Sequence, residues 1–192
     1  LPNQETFFRV SLEVSFARTV RLRGFPFYTA YISFTHPKNK KMTIHIRPAT
    51  PSDTTAISRL TLSALRTSNV IDYPASVIAR LEQSFTPKAI MALMSQRRMF
   101  VAVAGQAVVG TASLDGRAVR SVFVDPEWHR QGIGRLLMAQ VERVARENGV
   151  VCLVVPSSLT AQAFYAALGF EVVREQREGE ERTLIMERRL SV

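Results

Sequence analysis

The residues that could do chemistry cluster first around two glycines. Val122-Phe123-Val124 is a short apolar run, Asp125-Pro126 turns the chain, and His129-Arg130-Gln131-Gly132-Ile133-Gly134-Arg135 leads into an amphipathic segment. This order predicts a strand, a turn and a helix that opens at the glycines. The first N–H groups of a helix have no intrahelical partner, and the helix dipole is positive there. Glycines carry no Cβ, so phosphate oxygens can approach such a backbone closely. Arg130 and Arg135 add positive charge beside it. The segment therefore predicts a pyrophosphate-binding loop. The simpler alternative is a helix that merely begins with glycines.

Two nucleotide motifs fail on this stretch. A Walker loop requires Gly-Lys-Ser/Thr, and Gly134 is followed by Arg135-Leu136. A dinucleotide fingerprint requires a third glycine three residues after the second, where Leu137 stands. What remains resembles the acetyl-CoA loop of the GNAT superfamily of N-acetyltransferases. That loop has Arg or Gln, two variable residues, Gly, one variable residue, then Gly or Ala. His129 departs from the commonest first residue, although the family's contact there is largely through main-chain N–H groups. Downstream, Ser158, Ala161, Phe164-Tyr165 and Gly169-Phe170 resemble the second signature of the same family, with Ser158 in the place of its Asn. The resemblance covers about residues 42–190 and leaves 1–41 without a counterpart.

The resemblance implies a co-substrate, acetyl-CoA, and no metal. It implies direct attack of a primary amine on the thioester within a ternary complex. It places Val122, Phe123 and Val124 against the pantetheine arm, with a main-chain N–H there polarising the thioester carbonyl. His129, Arg130, Gln131, Gly132, Ile133, Gly134 and Arg135 would face the pyrophosphate. Tyr165 would protonate the departing CoA thiolate; a thiol of pKa near 8.5 leaves faster when protonated. As a plain sequence feature, Tyr165 could equally be an aromatic on the buried face of a helix. Ser158 either contacts the pantetheine or caps the following helix. The acceptor is a small-molecule amine or a protein amine, and a homodimer is compatible with the resemblance. The rival within the same fold is a non-catalytic acyl-CoA-binding module.

Other candidates are weaker. The strand before the loop, Arg117–Val124, holds no carboxylate, so a general base falls to a water chain, Asp72 or Tyr73. Asp72 and Tyr73 read equally well as surface-loop residues. Asp125 and Glu127 read as solvated turn residues. His36 and His45 have no ligand partners at metal spacing. Cys152, the single cysteine, reads as a small strand residue. Glu178-Gly179-Glu180-Glu181 reads as a solvated hairpin tip.

The elements that must position these residues follow from periodicity. Met42–Arg47 alternates as a strand. Ser52 or Asp53 caps a helix through about Thr67, and Pro74 opens a further helical region that Pro87 interrupts. Strands at Met99–Ala104, Ala107–Leu114 and Arg117–Val124 are joined by turns at Gly105-Gln106 and Asp115-Gly116. A helix runs from Gly132 to about Asn148, with Ile133, Leu136, Leu137, Val141, Val144 and Ala145 on one stripe. A buried strand at Val150–Val155, a helix at about Ser158–Leu168 and strands at Phe170–Glu175 and Arg182–Arg188 complete the chain. The class is α/β (mixed, α+β-like): a GNAT-type fold, with a central mixed sheet of about seven strands flanked by about four helices.

Composition sets the outer bounds. The 192 residues are 46% hydrophobic and 21% charged, which suits one packed domain. No run approaches the roughly 18 apolar residues of a membrane span, so no membrane partner is expected. The net charge is +9, but residues 1–41 hold seven Lys/Arg and two Asp/Glu, or +5. The remaining +4 is too mild to predict a nucleic-acid partner. The first methionine is Met42, so residues 42–192 are read as the domain. Residues 1–41 are read as an N-terminal extension, either disordered, transit-like or an over-extended gene start. A single cysteine is compatible with a reducing compartment, and a cytoplasmic location is expected.

Overall fold

The computed structural model describes residues 43–68 and 72–190. The expectation for residues 1–41 lies outside them. In chain order the elements are β1 (Ile44–Pro48), α1 (Thr54–Ser68), α2 (Ala75–Gln83), α3 (Pro87–Gln96), β2 (Arg98–Ala104), β3 (Ala107–Asp115) and β4 (Ala118–Val124). There follow α4 (Ile133–Glu147), β5 (Cys152–Ser157), α5 (Gln162–Ala166), β6 (Glu171–Glu178) and β7 (Glu181–Arg189). Seven strands form one mixed sheet in the order β1-β2-β3-β4-β5-β7-β6. Among the described residues five helices accompany it, because Pro87 starts α3 as a separate helix capped by the Thr86 hydroxyl.

The sheet is covered on both faces around β2 and β3. Alternation along β2 shows this directly. Met99 and Val101 pack with Ile57 of α1 and Ile90 of α3, whereas Phe100, Ala102 and Ala104 join the main core with α4. An apolar run without polar alternation is the signature of a strand buried on both sides. From α4 the main core takes Ile133, Leu137, Met138, Val141, Val144 and Ala145. Leu136 was expected on this stripe, but it is exposed and Met138 is buried instead. At about 100° per residue Leu136 lies off the centre of the stripe and Met138 nearer to it.

Two local differences from the sequence expectations have clear causes. The entry to α1 is a 3-10 turn, Pro51–Asp53, preceded by Thr50. Asp53 works from inside the turn: its carboxylate accepts from the Thr50 N–H at 2.7 Å and from the Thr50 hydroxyl at 2.8 Å. Arg47 donates to both Asp53 oxygens, at 2.7 and 2.8 Å. In the second case the helix expected at Ser158–Leu168 shortens to α5, because Ser157 still pairs with Leu184 in β7 and Ser158 caps a turn.

The Asp53 cluster carries a stability prediction. Hydrogen bonds from Arg47, then from Thr50, hold the Asp53 carboxyl down at about 2. A carboxylate with a lowered folded pKa contributes stability above its unfolded value near 3.9, and that contribution is lost as pH falls towards 2. Arg47 is 42% exposed, so water screens part of the pair. Asp53→Asn is expected to cost about 1–2 kcal/mol at pH 7. Thermal melts of both proteins should converge between pH 4 and about 2; a constant gap across that window would contradict the assignment.

β4 pairs antiparallel with β3 along its length, but its parallel pairing with β5 is limited to Ala118 and Val154, helped by the Val154 N–H to Arg117 carbonyl bond at 3.0 Å. Beyond that point the two strands diverge. The edge of β4 that carries Val122, Phe123 and Val124 therefore has no strand partner on the β5 side among the described residues.

Candidate active site

Divergence of two neighbouring strands opens the sheet where β4 runs into the glycine loop. β4 is also bulged there. Phe123 lies opposite Thr111 and Arg120 opposite Ser113, so Ser121 and Val122 together face Ala112. Ser121 takes φ 52, a left-handed value uncommon for a residue with a side chain. Such a bulge interrupts the ladder and re-aims the groups that follow, here Val122 and Phe123. No residue type marked it in the sequence.

After Val124 the chain makes a 3-10 turn, Pro126–Trp128. Asp125 caps it by accepting the Glu127 N–H at 3.0 Å, so Asp125 is structural in this turn. His129 closes it. Its N–H donates to the Pro126 carbonyl at 3.3 Å, and its ring Nε2–H donates to the Val124 carbonyl at 3.0 Å. A carbonyl only accepts, so Nε2 carries the proton. Both His129 donors are thus engaged within the protein. The residue ties the loop to the end of β4.

The loop proper offers donors. Arg130 (φ 60) and Gly132 (φ 80) both take left-handed backbone, with one residue between them. The first hydrogen bond of α4 runs from the Leu136 N–H to the Gly132 carbonyl at 3.1 Å. The N–H groups of Ile133, Gly134 and Arg135 precede it, and no acceptor among the described residues takes them. Gln131 and Gly132 are exposed, as are Arg130 and Arg135, neither of which has a carboxylate partner among the described residues. The result is a cluster of outward N–H groups at a helix start with two free guanidinium groups beside it, suited to an anion of more than one charge.

The two glycines serve different ends. A Cβ on Gly132 would meet nothing within 4 Å, so its requirement is the backbone angle. A Cβ on Gly134 would come within 3.1 Å of the Phe164 ring and 3.9 Å of Val124 Cγ2. Gly134 therefore lets α5 and β4 close on the start of α4. That close approach was not legible in the sequence.

Phe164 is the link to Tyr165. Their rings stand edge to face at 5.0 Å, and Tyr165 meets Phe170 in the same way at 5.7 Å. Tyr165 is 5% exposed, and its hydroxyl has no hydrogen-bond partner among the described residues. Burial pushes its pKa up, so the hydroxyl stays protonated across the working pH range. Val124, Gly134, Phe164 and Tyr165 thus form one contiguous group. Ser158 stands outside it as a cap: its hydroxyl accepts the Ala161 N–H at 3.3 Å.

Phe85, between α2 and α3, packs edge-on against Phe123 at 5.4 Å, a contact that no local pattern of residues marks. Asp72 accepts the Thr160 N–H at 2.9 Å. Tyr73 is buried with Val77 and Ile78, and burial, then the Glu181 charge, raises its pKa, so it is a poor base. The hairpin tip between β6 and β7 is docked onto α2 and not merely solvated: Arg80 donates to Glu181 at 2.6 Å and Ser76 to Glu180 at 3.1 Å. Cys152 lies on β5 beside Glu187.

Known proteins share this fold. Residues 69–187 match the acetyltransferase (GNAT) domain family. The uncharacterized N-acetyltransferase YafP of Escherichia coli K12 is 30% identical over 84 residues, which is 44% of this chain and 53% of that protein. The match thus spans about half of the curated relative's length. A GCN5-related N-acetyltransferase structure from Rhodopseudomonas palustris superposes with a TM-score of 0.72 at 21% identity, covering 79% of this chain and 99% of that one. The PaiA N-acetyltransferase of Thermoplasma acidophilum, solved with coenzyme A, gives 0.68 at 18% identity over 78% and 100%. The YncA structure from Salmonella typhimurium, a putative acetyltransferase solved with acetyl-CoA, gives 0.55 at 22% identity over 77% and 94%.

Proposed function

The chain belongs to the acetyltransferase (GNAT) domain family, and from that premise we propose that residues 42–192 transfer an acetyl group from acetyl-CoA to a primary amine. The observation that carries this reading is the set of unengaged N–H groups at the start of α4, beside the open edge of β4. Gln131, Gly132, Ile133, Gly134 and Arg135, with Arg130, hold the pyrophosphate. His129 shapes the loop from within. The open edge at Val122, Phe123 and Val124 receives the amide groups of the pantetheine as a further strand would. Coenzyme A and acetyl-CoA in the two related structures support this choice of co-substrate.

The chemistry is then a direct displacement. A neutral amine attacks the thioester carbonyl, and the developing oxyanion is stabilised by a main-chain N–H of β4 near the bulge. The C–S bond breaks, and Tyr165 donates its proton to the departing sulfur. The amine loses its proton to solvent water, and solvent returns a proton to Tyr165. The acceptor is a small-molecule or protein amine, and the single cysteine suits a cytoplasmic setting.

An ammonium acceptor must deprotonate before attack, so kcat/KM should rise about tenfold per pH unit from pH 7 towards the acceptor's pKa. Thiol release from acetyl-CoA across an amine panel measures this. A flat profile with an active acceptor whose ammonium pKa lies above about 9 would count against an amine nucleophile.

A further inference from the structure

We propose, resting on the acetyl-transfer reading, that Asp72 is a positioning residue whose carboxylate tethers the turn leading into α5, the helix that carries Tyr165, to the connection between α1 and α2. α5 has five residues, far fewer than a helix needs to stand alone. Its place is set by what holds its two sides. On one side the Phe164 ring abuts Gly134 at the start of α4. On the other side is the turn of residues 158–161. Within that turn the Ala161 N–H goes to Ser158 Oγ, and the Gln162 N–H goes to the Leu159 carbonyl at 3.2 Å. The Thr160 N–H has no local acceptor. Asp72 Oδ2 takes it at 2.9 Å, from 88 residues upstream.

Asp72 is a firm post for this purpose. The next residue, Tyr73, is buried against Val77 and Ile78, with its hydroxyl beside the Thr183 side chain of β7. α2 begins two residues further on and is tied to the β6–β7 hairpin through Ser76–Glu180 and Arg80–Glu181. The tether therefore joins the turn before α5 to a part of the fold that is anchored independently of the phosphate loop. A general base or an ammonium contact would need the charge of Asp72. A tether needs only an acceptor oxygen, which asparagine also presents.

The test compares the full chain with Asp72→Asn and Asp72→Ala, using acetyl-CoA and an amine found active in the thiol-release screen. Asp72→Ala should lower kcat about tenfold or more, since small displacements of a reacting group are costly. Its affinity for CoA by calorimetry should stay within about two-fold. Asp72→Asn should keep kcat within about three-fold of the parent, with the same pH profile. Amide exchange at Thr160 should be slow in the parent and in Asp72→Asn, and fast in Asp72→Ala. Loss of turnover in Asp72→Asn with Thr160 still protected overturns the proposal and assigns a role to the charge. Parent-like kcat in Asp72→Ala also overturns it. If Asp72→Ala does not fold, the parent and Asp72→Asn decide on the same two readouts. A parent without turnover on any amine, but with Thr160 protected, sinks the acetyl-transfer reading alone; fast Thr160 exchange in the parent sinks the tether.

Discussion

Replacing Tyr165 by phenylalanine should lower kcat for acetyl transfer by about 10²- to 10⁴-fold, the usual worth of a positioned proton donor. The fold should barely notice. The Tyr165 hydroxyl makes no hydrogen bond among the described residues, so its removal strands no partner. The ring keeps its edge contacts with Phe164 and Phe170. Affinity for acetyl-CoA should stay within about two-fold, because the unengaged N–H groups lie at the start of α4 and not on α5. Steady-state kinetics and calorimetry on the same preparation separate these effects. Full turnover in Tyr165→Phe would remove the tyrosine from the mechanism. A parent that binds acetyl-CoA and turns over no amine would instead favour an acyl-CoA-binding module on the same fold.

Gly132→Val should act in the opposite way, on binding first. Gly132 holds φ 80, and a β-branched residue there is strained by about 1–3 kcal/mol. The cost comes from the backbone, since no atom lies within 4 Å of the added Cβ. Relief of that strain turns the N–H groups of Ile133, Gly134 and Arg135 away from a shared focus, and the valine fills the open space before them. Acetyl-CoA should bind about 10- to 100-fold more weakly, and Tm should fall by about 2–8 °C. Asparagine tolerates left-handed backbone, so Gly132→Asn should recover most of the melting temperature. An unchanged Kd in Gly132→Val would mean that the loop does not bind the pyrophosphate.

Much of the scaffold was legible because its signals are local. Alternation in β1, the stripe on α4 and the Gly105 and Gly179 turns each depend on residues within a few positions of one another. The helix start at Gly132 was legible for the same reason, but its left-handed backbone was not. The reason for Gly134 was not. Only the approach of Phe164, from α5, shows why that position has no side chain. His129 is similar: its position in the motif was visible, but its ring bond to Val124 required the turn between them to close. Ser158 caps the turn before α5, which begins only after Ala161.

By itself, then, the sequence determined the order of elements, the helix start with its unpaired donors, and the placement of Tyr165 next to an aromatic neighbour. These follow from backbone preferences and side-chain periods that act along the chain. Tertiary structure alone decided the divergence of β4 from β5, the bulge at Ser121, the Phe85–Phe123 pair and the Asp72–Thr160 bond. Each of these joins groups far apart in the chain, or depends on how two strands fit a third. Which distant groups meet depends on packing all the layers at once, and no local pattern of residue types encodes that.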